Sequence, residues 1–451
     1  MEEVSRENTV AWDLEVDMVI AGAGAAGLAA AVEAAETGAE VVVYDKQAKL
    51  SDTSTVLSGG AISFGGTDYQ KKQGIQDSGE AFQKEIMEVG QWKNDPKLVE
   101  LYIKNQLDTY HWLTELGVKW QCVTMLGGMS VPRAHYTDPL ELLAIMQKAA
   151  EKKGAKVYFE TKITDLITDD HKNVIGVSVE NKGKTKRVKA RKGVILATGG
   201  FGRDTKKLES IDPRLLNVTP LVALGHTGDG HKMAEELGAY LIDMENVKPT
   251  FGIHVKGTSL KELVHLEYIG AIIVNKKGER YVKESMPYKD LAQAALDQPD
   301  GVGFEVFDQK IYDDAVKRAK ALAPKHAVLG LEDRTIKLLV SGKTIRELAT
   351  KMGVPPEVLE RTINGYNSYA DGGKDPDFGR STLARDSGRI MKIDTSPFYA
   401  FEAKGSLPGT YGGIAIDADM HVLTKQGRIS GLYAVGELIG GFHGTSYMSG
   451  T

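Results

Sequence analysis

Three glycines and one acid near the start of the chain have the residue types and spacing of a dinucleotide-binding site. Gly22, Gly24 and Gly27 form a Gly-x-Gly-x-x-Gly motif, and Asp45 follows it. In such a motif Gly22 permits a tight turn, Gly24 lets backbone N–H groups approach a pyrophosphate, and Gly27 lets a helix pack closely on a strand. Asp45 is placed to accept hydrogen bonds from ribose hydroxyls. The chemistry indicated is the binding of a dinucleotide cofactor.

The surrounding sequence predicts the elements that such a motif needs. An apolar strand opens at residues 17–20, an Ala-rich helix covers residues 28–38, and a second apolar strand runs from residue 40 to residue 44. The helix would direct its N-terminus, with its positive potential, towards the phosphates. Strand, glycines, helix, strand and acid occur in the required order, so we predict a Rossmann-type β-α-β unit.

Later segments favour FAD over NAD. An apolar strand at 194–197 ends in the glycine pair of 198–200, and another at 431–435 ends in Gly436-Glu437. Between them, residues 228–230 read Gly-Asp-Gly at the start of a helix. These segments are spread over most of the chain, which fits a dinucleotide domain split by a long insertion.

Composition excludes several other classes of protein. The chain has 451 residues, a net charge of −5 and a single cysteine, Cys122. One cysteine excludes a disulfide framework, a cysteine zinc site, an iron–sulfur cluster held by this chain and a c-type haem, and we expect no metal site. No long basic run indicates nucleic acid or an anionic membrane. No apolar run is long enough to span a bilayer, and the acidic N-terminus lacks a signal pattern, so we expect a cytoplasmic enzyme.

Taken together, these motifs resemble those of the fumarate reductase/succinate dehydrogenase flavoprotein family. The segments that carry the resemblance cover nearly the whole chain: GAGAAG, STVLSGGAI, ATGGFG, HTGDGHKMAEELGA, AIIVNKKGERYVKES, KDPDFGR and LYAVGELIGGFHG. The resemblance implies an α/β fold in which a Rossmann-type FAD-binding domain is interrupted by an α+β capping domain. It also implies that the substrate lies between the two domains, beside the flavin, and that a flavin-facing helix follows Thr451.

The resemblance extends the set of residues expected to contact FAD. Ser54, Thr55, Ser58, Gly59 and Gly60 would line the flavin, and Glu437 would reach the ribitol. The complete set expected to bind the cofactor is Gly22, Gly24, Ala26, Gly27, Asp45, Lys46, Ser54, Thr55, Ser58, Gly59, Gly60, Ile163, Ala197, Thr198, Gly199, Asp229, Gly436 and Glu437. The family's covalent flavin–histidine motif is not visible, so FAD is expected to be bound non-covalently.

By the same resemblance the FAD-binding domain comprises residues 1–244 and 386–451, and the cap comprises residues 245–385. The segment 343–372 of the cap reads as two amphipathic helices. Ile345, Leu348 and Met352 recur at helical spacing in the first, and Pro355 and Pro356 mark the start of the second.

The resemblance places two tyrosines at positions where fumarate reductases of this family keep arginines. Tyr288 takes the position of the proton-donating arginine, and Tyr447 takes that of the arginine that binds the substrate carboxylate. A dianion needs cationic donors to offset its desolvation, and phenols do not supply that charge. We therefore expect a neutral or mostly apolar substrate.

The pair of tyrosines resembles the 3-ketosteroid dehydrogenases, including the type that acts on the 4,5 double bond. Tyr447-Met448-Ser449 matches a triplet of that group, and Trp12-Asp13 matches its start. This resemblance predicts hydride transfer between flavin N5 and a C=C bond conjugated to a ketone, such as a 3-oxo steroid. Tyr447 would hydrogen-bond the carbonyl oxygen, Tyr288 would exchange the proton at the α carbon, and Ser449 would relay it.

Two alternatives remain open at this stage. Arg133 lies in a stretch closer to the fumarate reductases, where it could contact an acidic substrate, as could His135, or could be a structural cation. The enzyme would then reduce a small unsaturated acid such as fumarate, urocanate or an acrylate. Alternatively, the chain would be the flavoprotein subunit of an electron-transfer complex. The sequence does not identify the electron donor or acceptor.

Overall fold

A computed structural model describes residues 11–321, 330–372, 375–383 and 389–451. The chain divides into two compact units. The first contains Met1–Asp204, Val222–Val247 and Gly409–Thr451, and the second contains Thr205–Leu221 and Lys248–Pro408. The predicted cap boundary at residue 385 and most of the N-terminal segment lie outside the described residues. The assignment of the units as FAD-binding domain and cap stays a prediction.

The secondary structure is numbered along the chain. The strands are β1 Leu14–Ala21, β2 Val41–Tyr44, β3 Ala61–Ser63, β4 Cys122–Thr124, β5 Ala134–Tyr136, β6 Lys156–Tyr158, β7 Lys162–Thr168, β8 Val174–Asn181, β9 Lys184–Leu196, β10 Thr219–Pro220, β11 Leu241–Ile242, β12 Thr250–His254, β13 Ile272–Val274, β14 Val302–Asp308, β15 Val340–Gly342, β16 Phe398–Leu407, β17 Gly413–Ile414, β18 His421–Leu423 and β19 Arg428–Ala434. The α-helices are α1 Ala25–Glu36, α2 Ser54–Leu57, α3 Asp68–Lys72, α4 Gly79–Val89, α5 Pro96–Glu115, α6 Pro139–Lys152, α7 Thr205–Ile211, α8 Asp229–Glu236, α9 Tyr288–Leu296, α10 Gln309–Ala321, α11 Asp333–Ile336, α12 Ile345–Met352 and α13 Pro356–Gly372.

The main sheet of the first unit has the strand order β18-β19-β9-β1-β2-β6, and β8 and β7 extend it from β9. β1 runs parallel to β2 and β9, β19 runs parallel to β9, and β6 runs parallel to β2. A parallel sheet is covered on both faces, which explains the near-continuous apolar runs of β1 and β2. The predicted β-α-β unit is confirmed as β1, α1 and β2, and the fold is α/β.

Neighbouring residues of β1 pack on opposite faces of this sheet. Val19 belongs to the core cluster that contains Leu432 and Met233, whereas Ile20 belongs to the cluster that contains Leu28 and Leu143. This is the alternation expected of a strand buried on both sides. The sheet is thereby fixed between two apolar layers, and the loops at the carboxyl ends of its strands are available for binding.

The second unit is an antiparallel sheet with helices. β16 pairs with β14, β12 and β15 in antiparallel orientation and with the short β10 in parallel orientation, and β13 extends the sheet from β14. Its core includes side chains from the sheet and from helices, among them Phe251, Val306 and Leu348. The two helices predicted at 343–372 are confirmed as α12 and α13. In the part of the chain that the structure describes, no helix is both long and apolar enough to cross a membrane.

Candidate active site

The three glycines of the turn differ in how closely neighbouring atoms approach them. Gly22 has φ +109°, and a Cβ there would lie 2.4 Å from Ala197 O, whereas a Cβ at Gly27 would lie 1.9 Å from Gly22 O. Both glycines are therefore required by close backbone packing. At Gly24 the nearest atom is Thr55 Oγ1 at 3.4 Å, an ordinary contact. The packing of the turn itself therefore does not require a glycine at this position.

The N-terminus of α1 provides positive potential beside this turn. Gly24 is its N-cap residue and provides no side-chain cap, and the first turn contains no acidic residue. Thr55 Oγ1 accepts a hydrogen bond from Ala25 N at 3.1 Å, and Asp45 Oδ2 accepts one from Ala23 N at 2.7 Å. The turn is held by these bonds while the helix end stays suited to a phosphate.

Asp45 is buried at the end of β2, where the sequence predicts the ribose contact. Its other oxygen accepts a hydrogen bond from Gln47 N at 2.7 Å. Burial raises the pKa of Asp45, and the N–H donors of Ala23 and Gln47 oppose that rise. The carboxyl therefore braces the loop after β2, and its contact with a ribose stays a prediction.

Lys46 and Asp229, both expected to contact the cofactor, bind each other. Lys46 Nζ lies 2.7 Å from Asp229 Oδ2 and 2.8 Å from Thr227 Oγ1, and Lys162 Nζ lies 3.2 Å from the same carboxylate. Burial would raise the pKa of Asp229, but the two lysines hold it below its ordinary value. This ion pair joins the loop after β2 to the start of α8. Ile163, another expected cofactor contact, directly follows Lys162 in the chain. Its side chain packs in the core of the main sheet.

The glycine segment after β9 meets a histidine that the sequence analysis did not single out. His226 Nδ1 accepts a hydrogen bond from Gly202 N at 2.8 Å, and its Nε2 lies 2.9 Å from Glu437 Oε2 and 2.8 Å from Gly200 N. Nε2 can accept the Gly200 N–H or, when it carries a proton, donate to Glu437, but it cannot do both at once. Glu437 Oε1 accepts a hydrogen bond from Thr410 N at 2.7 Å. The position of His226 just before the Gly-Asp-Gly segment is the only sequence signal for this contact.

The environment of Glu437 keeps it ionised. Burial would raise its pKa, but the attraction and hydrogen bond of His226 and the donors of Thr410 lower it overall.

The hydroxyl of Thr198, the residue before Gly199, is buried and has no hydrogen-bond partner among the described residues. A buried orphan hydroxyl is costly unless a ligand satisfies it, so Thr198 fits a cofactor contact.

The segment 54–60 is anchored at its start and exposed near its end. Ser54 Oγ accepts a hydrogen bond from Ala223 N at 3.1 Å, and Ser58 Oγ donates to Thr55 O at 2.7 Å. Ser58 and Gly59 are exposed, whereas Gly60 is buried with φ +82°, and a Cβ added there would lie 2.2 Å from Thr137 O. Gly436 likewise has a positive φ and lies against Ala26. These residues belong to the first unit, as do all the other predicted cofactor contacts.

Tyr447 lies in an aromatic group at the C-terminal end of the first unit. Its ring centroid is 5.0 Å from that of Tyr411 and 5.7 Å from that of His443. Ser449 is buried; its carbonyl accepts a hydrogen bond from Ser63 Oγ at 2.9 Å. The segment is therefore anchored while Tyr447 stays half-buried. Because their rings lie beside Tyr447, Tyr411 and His443 are further candidate site residues, which the sequence analysis did not identify.

Tyr288 is the first residue of α9 in the second unit. Its ring stacks on that of His265, with 5.4 Å between the centroids and 30° between the planes. Tyr288 and Tyr447 belong to different units. Their joint contact with one substrate stays a prediction.

Arg133 is fully buried and paired with two carboxylates. Its Nε and Nη2 each lie 2.7 Å from an oxygen of Asp77, its Nη1 lies 2.5 Å from Glu85 Oε2, and its guanidinium lies over Phe82. Burial would lower the pKa of Arg133, but its carboxylate partners raise it. This arrangement favours a structural cation over a substrate contact.

His135 is likewise held within the core. Its Nδ1 lies 2.7 Å from Arg133 O and its Nε2 lies 2.8 Å from Thr67 Oγ1. Burial lowers the pKa of His135, which favours the neutral imidazole. Both ring nitrogens are engaged by these bonds, and the predicted substrate contact gains no support from them.

Comparison with known proteins identifies the family and its structural neighbours. Residues 17–451 match the family described as "FAD binding domain". The chain is 31% identical over 441 residues to a probable fumarate reductase of Shewanella frigidimarina, covering 96% of this chain and 71% of the relative. The structure resembles that of a flavocytochrome c3 fumarate reductase in its open conformation, with a TM-score of 0.84, 29% identity and coverage of 97% of this chain and 75% of the other. It also resembles a 3-ketosteroid Δ4-(5α)-dehydrogenase from Rhodococcus jostii, with a TM-score of 0.78, 28% identity and coverage of 99% and 95%.

The residues present fit FAD. A glycine at position 24 that the packing of the turn does not itself require, the uncapped end of α1 and the orphan hydroxyl of Thr198 are features that a bound dinucleotide would explain. The chain therefore belongs to the FAD-binding flavoprotein family that includes the fumarate reductases, and it is a FAD-dependent oxidoreductase that acts on carbon–carbon double bonds.

Proposed function

We propose that this enzyme acts on a C=C bond conjugated to a ketone, and that its substrate is a 3-oxo steroid with a 4,5 double bond or a similar enone. The proposal rests on the family resemblance, which places Tyr288 and Tyr447 at the two positions where fumarate reductases keep arginines. The flavin, when bound, supplies or accepts the hydride.

The state of Arg133 supports a substrate of low charge. A dicarboxylate requires cationic donors that can form paired hydrogen bonds with its oxygens. Arg133 was the cation proposed for that task, but Asp77 and Glu85 already engage its guanidinium. Recruiting it to a substrate would leave two carboxylates uncompensated in a buried site, which is costly.

The two phenols suit the chemistry of an enone. The hydroxyl of Tyr447 would donate a hydrogen bond to the ketone oxygen, where negative charge develops as hydride reaches the β carbon. In reduction, the hydroxyl of Tyr288 would give its proton to the α carbon, and in the reverse direction Tyr288 would receive that proton. Ser449 would relay protons between Tyr288 and the solvent.

The non-covalent binding of FAD is part of the same proposal. Acid precipitation of the purified holoenzyme should release the flavin into the supernatant. Flavin that stays with the precipitated chain would contradict this part of the proposal.

Titration of the oxidised holoenzyme with ligands tests the substrate class. A 3-oxo-4-ene steroid should perturb the flavin absorbance spectrum at micromolar concentration, because an apolar ketone would displace water beside the ring. Fumarate and succinate should leave the spectrum unchanged at millimolar concentration. The reverse pattern would contradict the proposal.

A second candidate is the reduction of a small unsaturated acid, which the similarity to a probable fumarate reductase favours. Rapid reoxidation of the chemically reduced holoenzyme by fumarate, together with no reoxidation by enone steroids, would establish this second candidate.

A further inference from the structure

His226 lies between a glycine segment and a carboxylate, and its side chain is only 2% exposed. Its Nδ1 lies 2.8 Å from Gly202 N, and its Nε2 lies 2.8 Å from Gly200 N and 2.9 Å from Glu437 Oε2. Two ring nitrogens thus face two backbone donors and one carboxylate. A neutral imidazole has one donor and one acceptor, so its protonation state decides which of the three bonds form.

Counting hydrogen bonds identifies the favoured state of this ring. With its proton on Nε2, the neutral imidazole accepts from Gly202 N and donates to Glu437, and only the bond from Gly200 N is lost. With its proton on Nδ1, the ring keeps the bond from Gly200 but sets an N–H against Gly202 and a lone pair against the carboxylate. A doubly protonated ring keeps the contact with Glu437 and sets N–H groups against both glycines. The neutral ring with its proton on Nε2 therefore satisfies the most partners.

The Glu437 carboxylate is bound on one side and open on another. Its Oε1 accepts a hydrogen bond from Thr410 N at 2.7 Å and lies 3.3 Å from Thr410 Oγ1, while its Oε2 faces His226. The side chain is nevertheless 30% exposed. A carboxylate has about four lone-pair sites, so it keeps the capacity to accept a hydrogen bond from a hydroxyl outside the protein. The ribitol of FAD carries such hydroxyls.

The backbone around this group lies close to the carboxylate. A Cβ added at Gly200 would lie 2.7 Å from both Glu437 Oε1 and His226 Cε1, and closer still to Thr410 Oγ1. A Cβ added at Gly409 would lie 3.1 Å from the same Glu437 oxygen. Glu437 Oε1 is thus packed against the backbone at both glycines, and the hydrogen bond from His226 fixes the orientation of the other oxygen.

We propose that neutral His226, through the hydrogen bond from its Nε2 to Glu437 Oε2, is a positioning residue that holds the Glu437 carboxylate for the ribitol hydroxyls of FAD. The inference rests on the predicted contact between Glu437 and the ribitol, and it is independent of the substrate. An ionised carboxylate forms strong charge-assisted hydrogen bonds with hydroxyl donors when it is oriented towards them. His226 thus acts on the cofactor through Glu437.

Two substitutions that each keep half of the imidazole test this inference. The side-chain amide nitrogen in H226Q can take the place of Nε2 and donate to Glu437, whereas the side-chain amide oxygen in H226N can take the place of Nδ1 and accept from Gly202. The apoprotein of each variant is titrated with FAD, and the Kd is measured from the flavin fluorescence. H226N should weaken FAD binding at least about tenfold, and H226Q should stay within about threefold of wild type. An H226Q protein that binds FAD as weakly as H226N would overturn the inference.

A double-mutant cycle shows whether His226 acts through Glu437. In an E437Q background, H226N should cause little further loss of FAD affinity. An equal loss in both backgrounds would overturn the inference, as would wild-type affinity in H226N or in E437Q. The control is H421N, because His421 also lies beside a carboxylate, that of Asp417, in the same unit. Neither residue belongs to the predicted cofactor set, so H421N should bind FAD with wild-type affinity.

Two further measurements separate this role from a purely structural one. Melting temperatures of the apoproteins show how much of each effect is a loss of fold. In wild-type holoenzyme with ¹⁵N-labelled histidine, NMR reports which ring nitrogen of His226 carries the proton, and its signal is identified by its absence in H226Q. The proton should lie on Nε2, and a proton on Nδ1 would overturn the inference. Because none of these measurements uses a substrate, a wild type that turns over no enone steroid would contradict the proposed function alone.

Discussion

At the scale of single residues, the two phenols have different proposed roles. Y447F should lower kcat with 3-oxo-4-ene steroids by about 10²-fold or more, because it removes a donor aimed at the developing oxyanion. Y288F should lower it by about 10²-fold, because it removes the proton donor to the α carbon. Y399F is the matched control for Y288F, since its hydroxyl also lies in the second unit and donates to Gln309. Steady-state assays in both directions check this, and a Y447F enzyme with wild-type kcat would contradict it.

A second prediction at this scale concerns how much the buried ion pairs of Arg133 stabilise the fold. R133M leaves Asp77 and Glu85 without their cation, so it should lower the free energy of unfolding by about 3–5 kcal/mol. The control is R191M, because Arg191 also pairs with two carboxylates, Asp17 and Glu40, but at the surface. Surface pairs contribute about 0–1 kcal/mol, so R191M should change the melting temperature little. A stable R133M enzyme with a strongly raised KM would show instead that Arg133 binds substrate.

At the scale of elements, the turn between β1 and α1 separates folding from cofactor binding. Gly24 has φ −74°, and an added Cβ meets only Thr55, so G24A should keep the melting temperature of the apoprotein. The same methyl would occupy the space expected for the pyrophosphate, so FAD affinity should fall at least about tenfold. G27A is the comparison, because its Cβ would strike Gly22 O and should lower the melting temperature as well. A G24A protein that binds FAD with wild-type affinity would place the pyrophosphate elsewhere.

Glu305 on β14 leads to a prediction about how the free energy of unfolding depends on pH. The pKa of Glu305 is raised in the folded state, so the folded protein keeps a proton that the unfolded chain releases above its ordinary pKa of about 4.3. The free energy of unfolding must then fall as pH rises above that value, by up to about 1.4 kcal/mol per pH unit for this group. E305Q stays neutral, so its stability relative to wild type should increase between pH 5 and pH 8. Melting temperatures across this range check it, with E360Q as a surface control, and parallel curves for E305Q and wild type would contradict it.

At the scale of the whole molecule, local sequence patterns predicted the secondary-structure elements well. They predicted the contacts between distant residues poorly. β1, α1 and β2 follow from apolar runs and from Gly22 and Gly27, which the backbone packing requires at those positions. The helices α12 and α13 follow from their apolar spacing and from Pro356. Such signals lie within a few residues of one another, which is why a sequence shows them.

The contacts that shape the candidate site join residues far apart in the chain. His226 meets Glu437 across 211 positions, and Lys46 meets Asp229 across 183. The partners of Arg133 cannot be identified from the sequence, because Asp77 and Glu85 approach it only through the fold. No local periodicity encodes these pairings, so the sequence left the role of Arg133 open and did not single out His226.

The central claim, that phenols in place of arginines make this a ketone-directed enzyme, is tested most directly by comparing two substrates on one preparation. The holoenzyme with an artificial electron donor or acceptor should act on a 3-oxo-4-ene steroid, or on its saturated 3-oxo product, with a kcat/KM at least about 100-fold above that for fumarate or succinate. Turnover of fumarate with the higher kcat/KM, and none of the steroids, would contradict the account.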